Sequence, residues 1–212
     1  MLALQEQTGV LNLGLPQIKR EIENQCCGLF QEHYGDFDYG SDYESMTVRG
    51  LANESGMISG VVVKAIKFLP RPESILLAGE NNAVKPRYEE VCGLKRDNIF
   101  TVGLSDNVDY QWNFEEDPPE IPLMECIISQ AILEHLLDPY KHVKDLWKLL
   151  KKGGMLHLYT VIPGFQYHRY PVDCLRFYPD WFEETAKRLG AEIAYKYLGI
   201  GETKIYYVFK KP

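Results

Sequence analysis

Two short stretches hold the side chains of this sequence best suited to moving a proton or gripping a small polar molecule. "SQAILEHLLDP" sets Glu134 beside His135, and "PGFQYHRYPVDCLRFYPDWF" gathers His168, Tyr170, Asp173 and Arg176 among the rings of Phe165, Tyr167 and Phe177. Histidine titrates near neutral pH, so His135 and His168 are candidate general bases, with Asp173 as a third. Tyr167, Tyr170 and Arg176 suit the binding of a polar ligand between aromatic walls. Each has a plainer alternative: His135 as a capping and packing residue, Asp173 with Arg176 as a structural ion pair, the rings as packing. Glu134 reads as a residue that orients neighbouring loops. Other chemistries lack their signatures. The sequence has no GxxxxGK[ST] phosphate loop, no GxSxG nucleophile turn, no GxGxxG fingerprint and no His/Cys cluster at zinc-ligand spacing, so no metal is expected.

These residues need a frame, and the order of elements supplies one. From residue 74 onward, short apolar runs alternate with helical patterns: "SILLAG" (74–79), a helix near 86–94 opened by Pro86, "NIFTVG" (98–103), "VDYQWNF" (108–114), "MECIISQ" (124–130), a helix over 139–152 and "MLHLYTV" (155–161). Such alternation predicts an α/β domain with a parallel sheet and helices on both faces. Val143, Leu146, Trp147, Leu149 and Leu150 recur at helical spacing in the 139–152 segment, and Gly153-Gly154 is read as its stop. A further helix is expected over "PDWFEETAKRLG", capped by Asp180 and stopped by Gly190. "AEIAYKYLGI" and "TKIYYVFKK" then read as an antiparallel hairpin at the sheet edge. Residues 1–70 form an N-terminal helical extension or lid, with helices over 15–34 and 54–69 around a loop rich in aromatic and acidic residues. Residues 71–212 form the α/β domain.

Bulk composition narrows the class. A length of 212 residues suits one principal core. A net charge of −7 argues against a mainly electrostatic grip on nucleic acid or anionic lipid, and "KLLKKGG" reads as a solvated helix end. Apolar stretches are too short to span a bilayer, and the N-terminus lacks the charged start and compact apolar block of a secretory signal, so a cytoplasmic location is expected. Five cysteines without CxxC spacing suggest free thiols. The expected partner is a small molecule, and oligomeric state is left open.

The segment from Ser129 to Val161 resembles the class I S-adenosylmethionine-dependent methyltransferases, in particular a small-molecule group with a Ser-x-x-x-Leu-Glu-His-x-x-Asp-Pro pattern after the fourth strand. The matching residues are Ser129, Leu133, Glu134, His135, Asp138 and Pro139, followed by Lys152, Gly153 and Gly154. The His168 to Phe177 stretch is similar to one found in members that act on sugars or related hydroxylated compounds. The resemblance covers roughly 74–210 and implies a seven-stranded Rossmann-like sheet with a reversed last hairpin. It also implies S-adenosylmethionine as cofactor, bound beyond the carboxyl ends of the strands, and a methyl acceptor that is small and polar. Adenine would lie between Leu104 and Phe114 beside Asn113. Asp106 would serve the ribose, the methionine end would lie along Gly79, Glu80 and Asn81, and Ser129 and Gln130 would line the crevice.

The first loop departs from that family. "SILLAGENNA" keeps Gly79 but has Leu77 at the usual acidic position and Asn81 and Ala83 in place of later glycines. Both substitutes are small, and Asn tolerates left-handed backbone angles, so the expectation is that the cofactor can still approach, with Glu80 as the replacement carboxylate. Gly103 and Asn113 replace acidic residues after the second and third strands. A non-catalytic relative using the same sheet as an interaction scaffold is the alternative reading.

Overall fold

The computed structural model describes residues 60–169, 171–199 and 203–212. Tyr170, the expected helix at 15–34, the loop after it and the start of the 54–69 helix lie outside these residues. Seven strands form one sheet: β1 (Ile75–Ala78), β2 (Ile99–Gly103), β3 (Tyr110–Gln111), β4 (Met124–Gln130), β5 (Leu150–Val161), β6 (Glu192–Gly199) and β7 (Lys204–Lys210), in the spatial order β3-β2-β1-β4-β5-β7-β6. The first five run parallel, and β7 is antiparallel to both β5 and β6. The sheet and its reversed last hairpin match the sequence expectation.

The side-chain period of two in β1 explains why its apolar run is continuous. Leu76 and Ala78 face one core, with Val143, Leu146 and Trp147 of α3 (Pro139–Lys148) and Phe182 and Ala186 of α4 (Pro179–Leu189). Ile75 and Leu77 face the other, with Val61, Val62, Val63, Ala65 and Ile66 of α1 (Gly60–Phe68) and Tyr88 and Cys92 of α2 (Lys85–Cys92). A strand covered on both faces has no use for polar positions. Among the described residues, no helix is long and apolar enough to cross a membrane.

Two local expectations are corrected. Helix α3 ends at Lys148, and Gly153-Gly154 belongs to β5, where the register against β4 jumps from Met124↔Leu150 to Cys126↔Met155. Gly153 takes a φ of +78° within that bulge, and a Cβ on Gly154 would lie 2.9 Å from the Glu125 carbonyl oxygen, so the glycine pair serves a strand irregularity. Asp180 lies inside the first turn of α4. Tyr178 is the residue at the cap, it makes no side-chain cap bond, and Pro179 starts the helix through its fixed φ. Gly190 does stop the helix, at a φ of +65°.

Candidate active site

Strands β1, β2, β4 and β5 all end on one edge of the sheet, and the loops that follow them bring the predicted residues together. The loop after β1 is bound down onto β2. Gly79 N donates to the Val102 carbonyl, Asn82 N to the Asn107 carbonyl, and Thr101 Oγ1 lies 2.8 Å from Asn82 Oδ1. Asp109 accepts from Thr101 N at 2.7 Å and pairs with Lys85 at 2.7 Å, linking this loop to the start of α2. Sequence reading missed Asp109. Its one signal was a lone acidic residue inside a β-rich run.

Gly79 has a φ of +85°, which non-glycine residues rarely adopt. A Cβ built on it would lie 2.1 Å from Ile132 Cδ1 and 2.8 Å from Ile132 Cγ1. Ala131, itself at a φ of +53°, turns the chain after β4, and the Ile132 side chain lies directly against Gly79. Ile132 thus covers the face of Gly79 toward which a Cβ would point, while the glycine itself stays exposed. Asn81 turns its side chain back to accept from Ala83 N, opening the short 3-10 helix Asn82–Val84. Gly79→Ala should cost about 1–3 kcal/mol from backbone strain alone. Urea unfolding of Gly79→Ala and of Gly79→Ala with Ile132→Ala should show the second change recovering part of the loss, because it removes the steric share.

The other expected cofactor residues are spread along this edge, and most have local partners. Leu104 is 69% exposed, whereas Phe114 is buried edge-on to Trp112 and 4.4 Å from the His142 ring. Asp106 Oδ1 accepts from Gln111 Nε2, and Asn113 accepts from Glu115 N and donates to Glu116, closing its own turn. Ser129 is fully buried with its hydroxyl 3.0 Å from His142 Nε2. That Ser/His pair looks catalytic in isolation, but both residues are 0% exposed and belong to the buried interior. Burial pushes the His142 imidazole down to about 3. Gln130 ends β4 at this same edge. Glu80 follows Gly79, and burial raises its carboxyl to about 7.

The polar residues after β4 and β5 do come together. Leu133–His135 form one turn of 3-10 helix that points Glu134 inward. Glu134 is completely buried; its Oε2 accepts from Thr160 Oγ1 at 2.6 Å, while Oε1 has no hydrogen-bond partner. Its carbonyl accepts from Cys174 N and Leu175 N, so it does orient the later loop as the sequence suggested. His168 Nε2 lies 3.8 Å from Glu134 Oε1, and His168 Nδ1 lies 3.4 Å from Asp173 Oδ2. His135 packs edge-to-face on His168 with centroids 4.9 Å apart, and its Nδ1 is 2.5 Å from the Val172 carbonyl.

Asp173 and Arg176 are the tie that shapes this loop. Arg176 donates through both terminal nitrogens to the Asp173 carboxylate and also to the carbonyls of Phe165, Gln166 and Leu175. Hydrogen bonds from Arg176 hold the Asp173 carboxyl well below the usual carboxylate range, and the same carboxylate raises Arg176. Asp173 also accepts from the His168 backbone N at 2.7 Å. The structural ion pair anticipated for these two residues is present. Phe165 stands 5.0 Å from His168 and supports it, while Tyr167 is 72% exposed and Phe177 is core. A cavity of about 220 Å³ lined by Ile66, Pro70, Glu125, Lys151 and His157 opens at the opposite edge, where β1, β4 and β5 begin, away from these groups.

No family profile matches the chain, and no curated protein sequence does either. Solved structures do. A candidate methyltransferase of Bacillus halodurans superposes with a TM-score of 0.55 at 13% identity, over 72% of this chain and 98% of that one. Human N-acetylserotonin methyltransferase in complex with S-adenosylmethionine gives 0.51 at 14% identity, over 70% of this chain and 50% of that one. The [4+2]-cyclase SpnF gives 0.51 at 13% identity, over 72% and 81%. The chain thus has the fold of the class I methyltransferases. The presence of a cyclase among its neighbours shows that the fold does not by itself fix the reaction.

Proposed function

We propose that the chain is an S-adenosylmethionine-dependent methyltransferase acting on an oxygen or nitrogen of a small polar acceptor, a hydroxylated compound such as a sugar being the first choice. The observation that carries this reading is the convergence of Glu134, His135, His168, Asp173 and Arg176 beyond the ends of β4 and β5, on the edge where open α/β sheets bind ligands. When bound, the cofactor would supply a methyl group on a sulfonium. The chain's own task is to position the acceptor and exclude water. His168 is the residue placed to take an acceptor proton, since Asp173 lies at one ring nitrogen and Glu134 at the other, and either carboxylate stabilises the resulting imidazolium. His135 forms the adjoining wall, and Arg176 fixes the loop that carries His168.

The Ile132 side chain covers the Cβ face of Gly79, so a cofactor set against that face requires it to move. That contact, together with the local partners already held by Asn81, Asp106 and Asn113, favours the second reading, a sheet retained as a non-catalytic scaffold. Calorimetric titration of the wild-type chain and of Ile132→Ala with S-adenosylmethionine and its demethylated product separates the two. The methyltransferase reading expects binding by both, at least about tenfold tighter (1.4 kcal/mol) in Ile132→Ala. Absence of heat from both proteins at millimolar ligand leaves the scaffold. With an acceptor in hand, His168→Ala should lower turnover while cofactor affinity stays unchanged.

A further inference from the structure

Sequence spacing gives no reason to expect a metal, because the residues concerned are two neighbours and a third that lies 33 positions on. In space, Glu134, His135 and His168 each offer one ligating atom, and these atoms lie within 4.8 Å of one another. We infer that these three side chains form a binding site for one divalent transition-metal ion, of which zinc is the type best matched to two imidazoles and a carboxylate with a position left open.

Three further observations support the assignment. Glu134 is wholly buried, yet its Oε1 has no hydrogen-bond partner and faces His168 Nε2 at 3.8 Å. A buried carboxylate oxygen in that condition calls for a cation or a proton. One imidazole is also backed as metal ligands usually are: His135 Nδ1 is against the Val172 carbonyl, which leaves Nε2 as its lone-pair nitrogen. His168 Nδ1 lies 3.4 Å from Asp173 Oδ2 without a hydrogen bond, close enough to gain one by a small ring adjustment. Thr160 Oγ1 donates to the second oxygen of Glu134, fixing which oxygen is presented. The nearby guanidinium of Arg176 is already engaged by Asp173 and three carbonyls.

The geometry is near what a metal requires. Ligand atoms about 2.1 Å from a tetrahedral ion stand roughly 3.4 Å apart, so a set within 4.8 Å must contract by up to about 1.4 Å at its widest, which is a side-chain adjustment. The His168 side chain is 33% exposed, so the open position faces solvent and can take an oxygen or nitrogen donor of a ligand. That the donor is the methyl acceptor rests on the function proposed above, with the bound ion then polarising the acceptor and His168 holding the ion in place of taking the proton; the site itself does not.

Cobalt titration of the full chain, stripped of metal by a chelator, tests the site without reference to activity. One equivalent should bind at about 10 μM or tighter and give visible d–d absorption without a thiolate-to-cobalt charge-transfer band, which distinguishes it from the cysteines. His168→Ala and Glu134→Gln should each weaken binding by about 100-fold, and Asp173→Asn by about tenfold through loss of support to His168. Zinc should displace cobalt. Circular dichroism must show each variant folded; His135→Ala, with a half-buried ring, replaces any that is not. No absorption at 1 mM cobalt, a spectrum dominated by thiolate, or a spectrum unaltered in all folded variants would overturn the assignment. Cofactor titration on the same preparations keeps the two proposals apart, since either can fail while the other succeeds.

Discussion

Asp173→Ala should destabilise the domain by about 3 kcal/mol, the low end of what is lost when one member of a buried ion pair is removed. The Asp173 side chain is 1% exposed and that of Arg176 is 21% exposed, so water screens only one side of the pair and the figure sits below the full range. Removal of the carboxylate strands a guanidinium among the carbonyls of Phe165, Gln166 and Leu175, and it also takes away the acceptor for His168 N. A double-mutant cycle with Arg176→Leu checks the origin of the loss. Deleting both partners should cost less than the sum of the two single changes by about 1–3 kcal/mol in urea unfolding. Additive losses would mean that the pair is incidental and that the loop is held by its backbone alone.

The second large effect is an early onset of acid unfolding. His142 and His157 are both buried, and burial brings each imidazole down to about 3 from an ordinary 6.5. Asp145 pulls His142 the other way but does not prevail, being already paired with Lys141 and Lys148. The unfolded chain takes up these two protons below pH 6.5, whereas the folded chain refuses them until about pH 3. Stability contributed by the neutral imidazoles is thus complete above pH 6.5 and is lost as pH falls through that interval. Each histidine contributes a slope of about 1.4 kcal/mol per pH unit, so the pair gives roughly 2.7. Carboxylates held low, Asp173 among them, add their own losses at lower pH. His157→Asn keeps a polar atom toward the Tyr206 hydroxyl, and His142→Gln keeps one toward Ser129. Either change should roughly halve the slope of unfolding free energy between pH 6 and 4, and an unchanged slope in both would remove these histidines as its cause.

What the sequence revealed and what it concealed divide along one physical line. Period-two burial in β1 and the helical spacing of Val143, Leu146 and Trp147 are local, so the sheet and its flanking helices were legible. The Asp173–Arg176 pair, three residues apart, was legible for the same reason. The "KKGG" segment misled because a glycine pair ends helices and also permits strand bulges, and only the register with β4 decides between them. The contact of Ile132 with Gly79 was invisible. Ile132 lies in a different loop from Gly79, and no spacing rule links residues 53 positions apart. The approach of His168 to Glu134 is likewise a product of the parallel pairing of β4 with β5, which delivers the loops after both strands to one place.

Helix α1 has a bearing on how the chain can be divided. Val61, Val62, Val63, Ala65 and Ile66 share one apolar cluster with Ile75, Leu77, Cys126 and Ile128. A fragment that starts after Pro70 would therefore keep every strand and all the polar groups of the candidate site, yet it would leave part of one side of the central ribbon, beside α2, naked to water. Such a piece would be inclined to self-associate through that bare flank, and any shortened version made for crystallisation or assay needs its first cut placed ahead of residue 60.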